Sequence, residues 1–441
     1  MKILLIGNGF DLEHGLPTKY SDFLEFCEII DLFTFLTVPN HKEMDLIRFH
    51  SILYGKQSIH QSIKDAIFEV FCNKQDRLIQ ASFHNMLQRF ESEIETEKVP
   101  FHCDDQRKTT EIIIDEIYSL IHTNAWYKYF MNRLEKMGAN WIDLESEISQ
   151  VIQALDDARN TKYRHSKTIP HILNDITDSA GMYSAKDIYG NPQLISHFAS
   201  CLNSHLVFFI RALEIYIYSF VRNVPIERRS HDIEGLIPDH VLSFNYSDTF
   251  ERIYGEGRNI KYDYIHGKAV HNSTIDSCDL VLGINESLDN HSKNESLDFI
   301  PFKKYYQRIL KSTGNAHQDW VDEIKAEHTM VLKKRSAYET GLIKHPHWNG
   351  IEAAASVPYP KHTLYIFGHS LDITDGDVLR NLICNDNVQT KIYYYREYEH
   401  DKRTLGKLIK NLVKIIGPDE LIRRTGGSHK TIEFIPQTLH E

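Results

Sequence analysis

The sequence predicts an α/β fold, a doubly wound and mostly parallel sheet with a large all-helical insertion after its first strand and helix. Three observations carry that reading. The chain opens on MKILLIGNGFDLEHGLP, where the apolar run Lys2 to Ile6 meets Gly7-Asn8-Gly9 at once. From about residue 30 to 235, apolar residues recur three or four apart. After Pro238, short apolar strands alternate with helices to the end. A lone first strand cannot bury both faces, so it must join the later sheet. The helical block is then an insertion into one α/β unit. The expected division is 1–30 with 236–441 as the α/β domain and 31–235 as the helical insertion.

Taken in order, the elements support this. Lys2 to Ile6 reads as a buried parallel strand. Gly7 to Pro17 reads as a tight glycine turn and loop, with positive φ and close approach to a ligand as the uses of glycine. Thr18 or Ser21 can cap a helix through Tyr20, Phe23, Leu24 and Phe26. Helices are expected around 61–72, 75–97, 110–136, 141–158 and 194–222. The fourth carries Trp141, Leu144, Ile148, Ile152 and Leu155 on one face, and Asp156 to Ser184 reads as a polar loop. Strands then follow at His240–Phe244, Tyr262–Ile265, Leu280–Gly283, Thr363–Phe367 and Lys391–Tyr395, with an edge strand at Thr431–Ile435. Helices are expected at Thr249–Tyr254, Phe302–Leu310, Val378–Ile383 and Arg403–Ile416.

Composition narrows the function classes. The chain has 441 residues, enough for two or three domains or one with a large insertion, and a formal charge of −11. That charge argues against a protein that coats nucleic acid. Six cysteines without a CxxC pair read as reduced thiols of a cytoplasmic protein. Ile3 to Ile6 is too short for the apolar region of a signal peptide. No apolar stretch approaches the ~20 residues that span a bilayer, so no membrane association is expected. The 25 histidines form no HExxH or comparable pattern, and no metal is expected.

In such sheets the ligand sits beyond the carboxyl ends of the strands. Gly7, Asn245, His266, Gly283 and Gly368 all fall just past a predicted strand, so distant parts of the chain converge on one edge. The opening is not the dinucleotide fingerprint GxGxxG, because Leu12 stands at the third glycine position. Asp11 and Glu13 could accept bonds from ribose hydroxyls, or cap a turn. Backbone N–H groups would have to bind a pyrophosphate. Asn245 is either a helix N-cap or a ligand contact, with Asp248 one turn on favouring the helix start. His266, followed by Gly267, is either an acid/base or a histidine bonded into the sheet rim. Gly368-His369-Ser370-Leu371-Asp372 suits an adenosine or ribose contact. It also suits a helix start, with Asp372 or Thr374 as cap and Asp375 and Asp377 in the first turn. Asp372 stands where a Gly-x-Ser-x-Gly elbow needs glycine, so a serine hydrolase is not expected. The run Tyr393-Tyr394-Tyr395 reads as half-buried strand rather than a base-stacking platform.

GNGFDLEHGLPTKYSDFL resembles the signature of the AbiH family of bacterial phage abortive-infection proteins. NWIDLE at Asn140, LSFNYSDTFE at Leu242, YIHGK at Tyr264 and IFGHSLDITDGD at Ile366 fit the same family, across most of the chain. More distantly, the motif order is similar to sirtuin-like NAD-consuming domains of bacterial defence systems, which are Rossmann-like. The resemblance implies a cytoplasmic antiviral protein that hydrolyses NAD at the nicotinamide–ribose bond. It implies Asn245 and His266 as catalytic residues. It places the nucleotide on Gly7, Asn8, Gly9, Phe10, Asp11, Gly15, Leu16, Pro17, Asp248, Gly368, His369, Ser370 and Asp372. It also implies a homo-oligomer and a phage-derived activator or partner protein. Asn8 and Asp11 stand where sirtuin-like loops carry Ala and Ser, and Asn245 to Asp248 is one residue longer than Asn-x-Asp. Two other readings remain at this level. One is a module that binds NAD or ADP-ribose without turnover. The other is a metal-dependent nuclease using Asp11, Glu13 and further carboxylates.

Overall fold

Six strands form one sheet in the computed structural model: β1 (Lys2–Ile6), β2 (His240–Ser243), β3 (Lys261–Tyr264), β4 (His362–Phe367), β5 (Val388–Tyr394) and β6 (Ile432–Pro436). The structure describes residues 1–37, 46–74, 105–138, 143–159, 170–226, 228–284, 297–339, 361–427 and 430–439. The order is β3-β2-β1-β4-β5-β6, and every neighbouring pair is parallel. This is the Rossmann-like doubly wound order, which reverses direction between β1 and β4.

The opening strand is central, as its unbroken apolar run requires. Ile3 pairs with His240 on one side and Leu364 on the other. Ile3 and Leu5 enter one apolar cluster with Leu242, Ile366, Leu379 and Leu412. Leu4 and Ile6 enter a second with Val241, Phe250 and Phe367 on the opposite face. Successive side chains alternate between faces, and both faces are covered, so no polar residue is tolerated from Ile3 to Ile6.

A third cluster fills the helical part and includes Phe23, Phe26, Ile117, Trp126, Phe130, Ile148, Phe209 and Tyr216. It also takes in Leu280, Leu282, Phe299 and Phe302. Leu280–Gly283 is therefore not the strand its apolar run predicts. Its backbone is satisfied elsewhere. Val281 N–H donates to the His266 carbonyl at 2.9 Å. The Gln307 side chain clamps Leu282, accepting from its N–H at 3.1 Å and donating to its carbonyl at 3.0 Å.

Three further expectations change. The loop predicted over Asp156–Ser184 contains the helix His171–Ala180, which buries Leu173 and Ile176. Gly7 to Pro17 is not all loop, since Asn8–Glu13 is a short helix. Neither Thr18 nor Ser21 caps the helix Tyr20–Thr37; Asp22 accepts from the Lys19 N–H at 3.0 Å instead. The expected helix at 75–97 and Trp141 lie outside the described residues. The helix expected at 194–222 is present, and it is longer and more apolar than the expectation of no membrane-length apolar stretch allowed. Pro192–Asn223 spans 32 residues, and its most apolar 18-residue stretch has a mean hydropathy of 1.4, enough by length and composition to cross a membrane. In the structure 67% of its most apolar stretch is buried within the protein. All five cysteines among the described residues are free thiols.

Candidate functional site

At the reversal point the loops after β1 and β4 are stitched together. Gly7 N–H donates to the Phe367 carbonyl at 3.1 Å, and Gly9 N–H to the Gly368 carbonyl at 2.8 Å. A Cβ on Gly7 would lie 2.8 Å from His369 Cα, and one on Gly9 2.8 Å from Gly368 Cα. Gly7 itself is extended, with φ −125° and ψ −175°. The glycines at 7 and 9 thus serve close approach of two backbones, not a left-handed turn. The left-handed position is Gly368, at φ 67°. Leu371 follows at φ 55°, an unusual value for a residue with a Cβ, and its side chain is fully buried in the core. Its N–H donates to His369 Nδ1 at 2.9 Å. That bond makes Nδ1 an acceptor and puts the ring proton of neutral His369 on Nε2, 3.4 Å from Asp375 Oδ2.

A cavity of about 380 Å³ opens beside this seam, beyond the carboxyl ends of β1, β2 and β4. Three groups define its chemistry. Asn245 is 5% exposed, and neither end of its side-chain amide has a hydrogen-bond partner. The helix after it begins at Thr249 with Asp248 at the N-cap, so Asn245 is not a cap. Asp11 is 1% exposed. Its Oδ2 accepts from Ser247 Oγ at 2.6 Å, while Oδ1 has no partner. Burial pushes its carboxyl pKa up to about 6. His266 is buried with Nδ1 unpartnered and Nε2 3.4 Å from Asp375 Oδ1. Burial, helped by the Lys304 charge, pushes its pKa down to about 4, so the ring is neutral at neutral pH.

Behind these groups lies a chain of charge. Lys304 Nζ sits 2.7 Å from Glu145 and 3.5 Å from Asp375. Burial raises both carboxyls, but Lys304, His266 and His369 outweigh it at Asp375 and hold that group well below the usual range. Glu145 is pushed up to about 7, with burial as the largest cause. The cavity walls carry Asp11, Asp143, Glu145, Asp372 and Asp375, and no lysine or arginine among the described residues. On the other side of the Gly9–Gly368 seam a larger cavity of about 1050 Å³ has Lys19, Arg228 and Lys407 in its walls against Glu13 and Asp22, with Tyr393 and Tyr395. The two cavities share Gly9, Gly368, His369 and Ser370. Among the described residues no group of three or more His, Cys, Asp or Glu is arranged to hold a metal ion.

The family model described as bacteriophage abortive infection AbiH matches residues 3–395. The chain belongs to the AbiH family. No curated protein and no solved structure matches it. The AbiH match covers all the residues named around the smaller cavity.

The structure gathers most of the sequence-predicted site residues of this AbiH chain, but not all. Gly7, Asn8, Gly9, Asp11, Asn245, His266, Gly368, His369, Ser370 and Asp372 line the smaller cavity. Asn8 Oδ1 accepts from Thr18 Oγ1 at 2.7 Å. Asp372 Oδ1 accepts from Thr374 N–H at 3.0 Å and so caps a short turn while facing the cavity. Gly15, Leu16 and Pro17 line the larger cavity instead. Phe10 faces neither; it is core, packed on Phe250 and Phe367 at ring distances of 5.9 and 6.1 Å. Asp248 is outside both cavities, paired with Arg222 at 3.0 Å. Gly283 also lies outside them, against the Phe302 carbonyl. The sequence reading did not single out Glu145 or Lys304, and took Asp375 only as a helix-start carboxylate. Glu145 and Asp375 lay within motifs noted as family-like, whereas Lys304 had no local signal at all.

Proposed function

We propose that this abortive-infection protein cleaves NAD at the nicotinamide–ribose bond. The observation that carries the reading is the pairing of a carboxylate-walled chamber, holding an unpartnered Asn245 amide and an unpartnered Asp11 oxygen, with a cavity across one glycine seam whose three cationic side chains outnumber its two carboxylates. NAD has that polarity. Its nicotinamide ring is cationic, and its pyrophosphate is anionic. Breaking the C1′–N bond builds positive charge on the ribose, which fixed carboxylates in a dry site stabilise. Water adds to C1′, nicotinamide leaves with the bonding electron pair, and one proton is released. Asn245 orients the ribose or the water. Neutral His266 has a free ring nitrogen that can accept a proton from an attacking water or a ribose hydroxyl. Asp11, ionised above its raised pKa, faces the developing charge. The motif order read from the sequence supports the same assignment.

Incubation of the purified protein with NAD, with and without lysate of phage-infected cells, tests this. Nicotinamide and ADP-ribose are the expected products. Asn245→Ala is expected to lower kcat by roughly 10²–10³, the usual loss for one preorganised polar contact at a transition state. Constant NAD in infected cells that nonetheless stop growing would overturn the reading. Calorimetric binding of ADP-ribose without any turnover would instead favour a sensing module.

A further inference from the structure

A third cavity, of about 390 Å³, backs onto the carboxylate-walled chamber. It shares His266, Thr374 and Asp375 with that chamber and none of the glycine seam. Its charge is opposite. Lys304, Arg308, Arg380 and Lys414 stand in its walls, against Asp375 and Asp377. Lys304 is committed to Glu145 and Asp375. Arg308 lies 3.9 Å from Asp377 and donates to the Gly314 carbonyl. Arg380 donates to the Ile415 carbonyl, and among the described residues neither Arg380 nor Lys414, both exposed, is paired with a carboxylate. Two cationic side chains are therefore uncompensated, in a protein whose formal charge is −11. The first turn of the helix Gly376–Ile383 forms another part of the wall, through Gly376, Asp377 and Val378. That helix runs on from the turn Ile373–Asp375, whose start the Asp372 side chain caps at the Thr374 N–H, and the Gly376 N–H already donates to the Ile373 carbonyl, so the cavity's anion-binding capacity rests on its cationic side chains.

We propose that this cavity is a binding site for a phosphate group, free or on a small sugar phosphate, separate from the substrate chamber. Two uncompensated cations match the two charges of a phosphate monoester. The volume admits a phosphorylated pentose, at the small end of ligand cavities. The site also has a route to the chemistry. A bound dianion competes with Asp375 for Lys304, and Asp375 is the carboxylate that faces both His266 and His369. Occupancy thus weakens the hold on the two histidines from behind. The site itself does not depend on the NAD reading.

Thermal-shift and calorimetric titrations with inorganic phosphate, ribose 5-phosphate and NAD test it. Wild type is expected to be stabilised by one or both phosphates at millimolar concentration. A stronger response to ribose 5-phosphate assigns a sugar phosphate, and an equal response assigns the free ion. Lys414→Glu, at an exposed position, is expected to weaken phosphate binding about tenfold or more, the loss of one charge-assisted contact. Arg380→Gln gives a second variant with milder change. Both variants are expected to keep their response to NAD, and Asn245→Ala to keep its response to ribose 5-phosphate. Absence of any phosphate response in wild type would overturn the proposal. So would a response unchanged in both variants. Parallel loss of the NAD response would make the cavity an arm of the substrate site and also overturn it.

Discussion

Asn245 holds both ends of a buried amide without a partner, and Asp11 holds one carboxylate oxygen the same way. Each such group costs about 1–3 kcal/mol relative to a bonded one, so the fold tolerates a deficit where the ligand is proposed to bind. Asp11 and His266 also set opposite pH dependences. The Asp11 pKa rises from 3.8 to about 6, so the folded state binds more protons than the unfolded chain between those values. Its contribution to stability is present at low pH and lost as pH rises through about 4–6. The His266 pKa falls from 6.5 to about 4, so the folded state binds fewer protons there. Its contribution is lost as pH falls through about 6.5–4. The two partly cancel in wild type. Asp11→Asn removes one of them. Thermal melts from pH 4 to 8 are expected to show a variant more stable than wild type at pH 7, by on the order of 2–3 kcal/mol, with the gain vanishing near pH 4. Under the NAD reading, wild-type activity rises through pH about 6 and the Asn variant loses that limb. A limb that persists in Asp11→Asn would move the titrating group elsewhere.

At the scale of elements, the seam between the β1 and β4 loops decides what reaches the site. Gly9→Ala drives a Cβ to within 2.8 Å of Gly368 backbone, with no flexible side chain to yield. Gly368→Ala adds a left-handed penalty at φ 67°, with its Cβ against Phe10 N. Either substitution is expected to cost about 2 kcal/mol or more, read as a fall in the urea midpoint, and to weaken any ligand of the adjoining chamber. Gly15 gives the contrast. It has φ 77° but open space where a Cβ would go, so Gly15→Ala is expected to cost only about 1–2 kcal/mol. Gly406 sits inside the helix Arg403–Ile416 with nothing near, and Gly406→Ala is expected to stabilise by about 0.5–1 kcal/mol. A melt in which all four glycine variants behave alike would remove the seam as the cause.

At the scale of the whole molecule, one buried lysine ties the helical block to the turn after β4. Glu145 belongs to the helix Leu144–Arg159, Lys304 to the helix Lys304–Lys311, and Asp375 to the turn after β4. Three segments far apart in sequence thus share one charge system. Lys304→Met strands two carboxylates beside each other with no cation. It is expected to cost about 3–5 kcal/mol, read as loss of thermal stability that recovers toward acid pH as the carboxylates protonate. Glu145→Gln keeps Lys304 paired with Asp375, and is expected to cost clearly less. Equal losses in the two variants would show that the bridge does not work as one unit.

The sequence by itself determined the class of fold and the rim of the sheet where Gly7, Asn245, His266 and Gly368 come together. Unbroken apolar runs such as Ile3–Ile6 can be buried only between two covered faces, and glycine, asparagine and histidine at strand ends must share one rim. Those constraints are local, so they were legible along the chain. The same locality misled at Leu280–Gly283, where an apolar run served the helical core rather than the sheet, and at Asp248, where a carboxylate beside the right motif turned to Arg222. Only the tertiary structure decided which polar groups are left without partners and which charges face one another. Burial, pairing and cavity shape depend on residues hundreds of positions apart. Lys304 shows this best, since nothing in its own neighbourhood marks it, and the pairing of Glu145 with Asp375 around it exists only once the chain has folded.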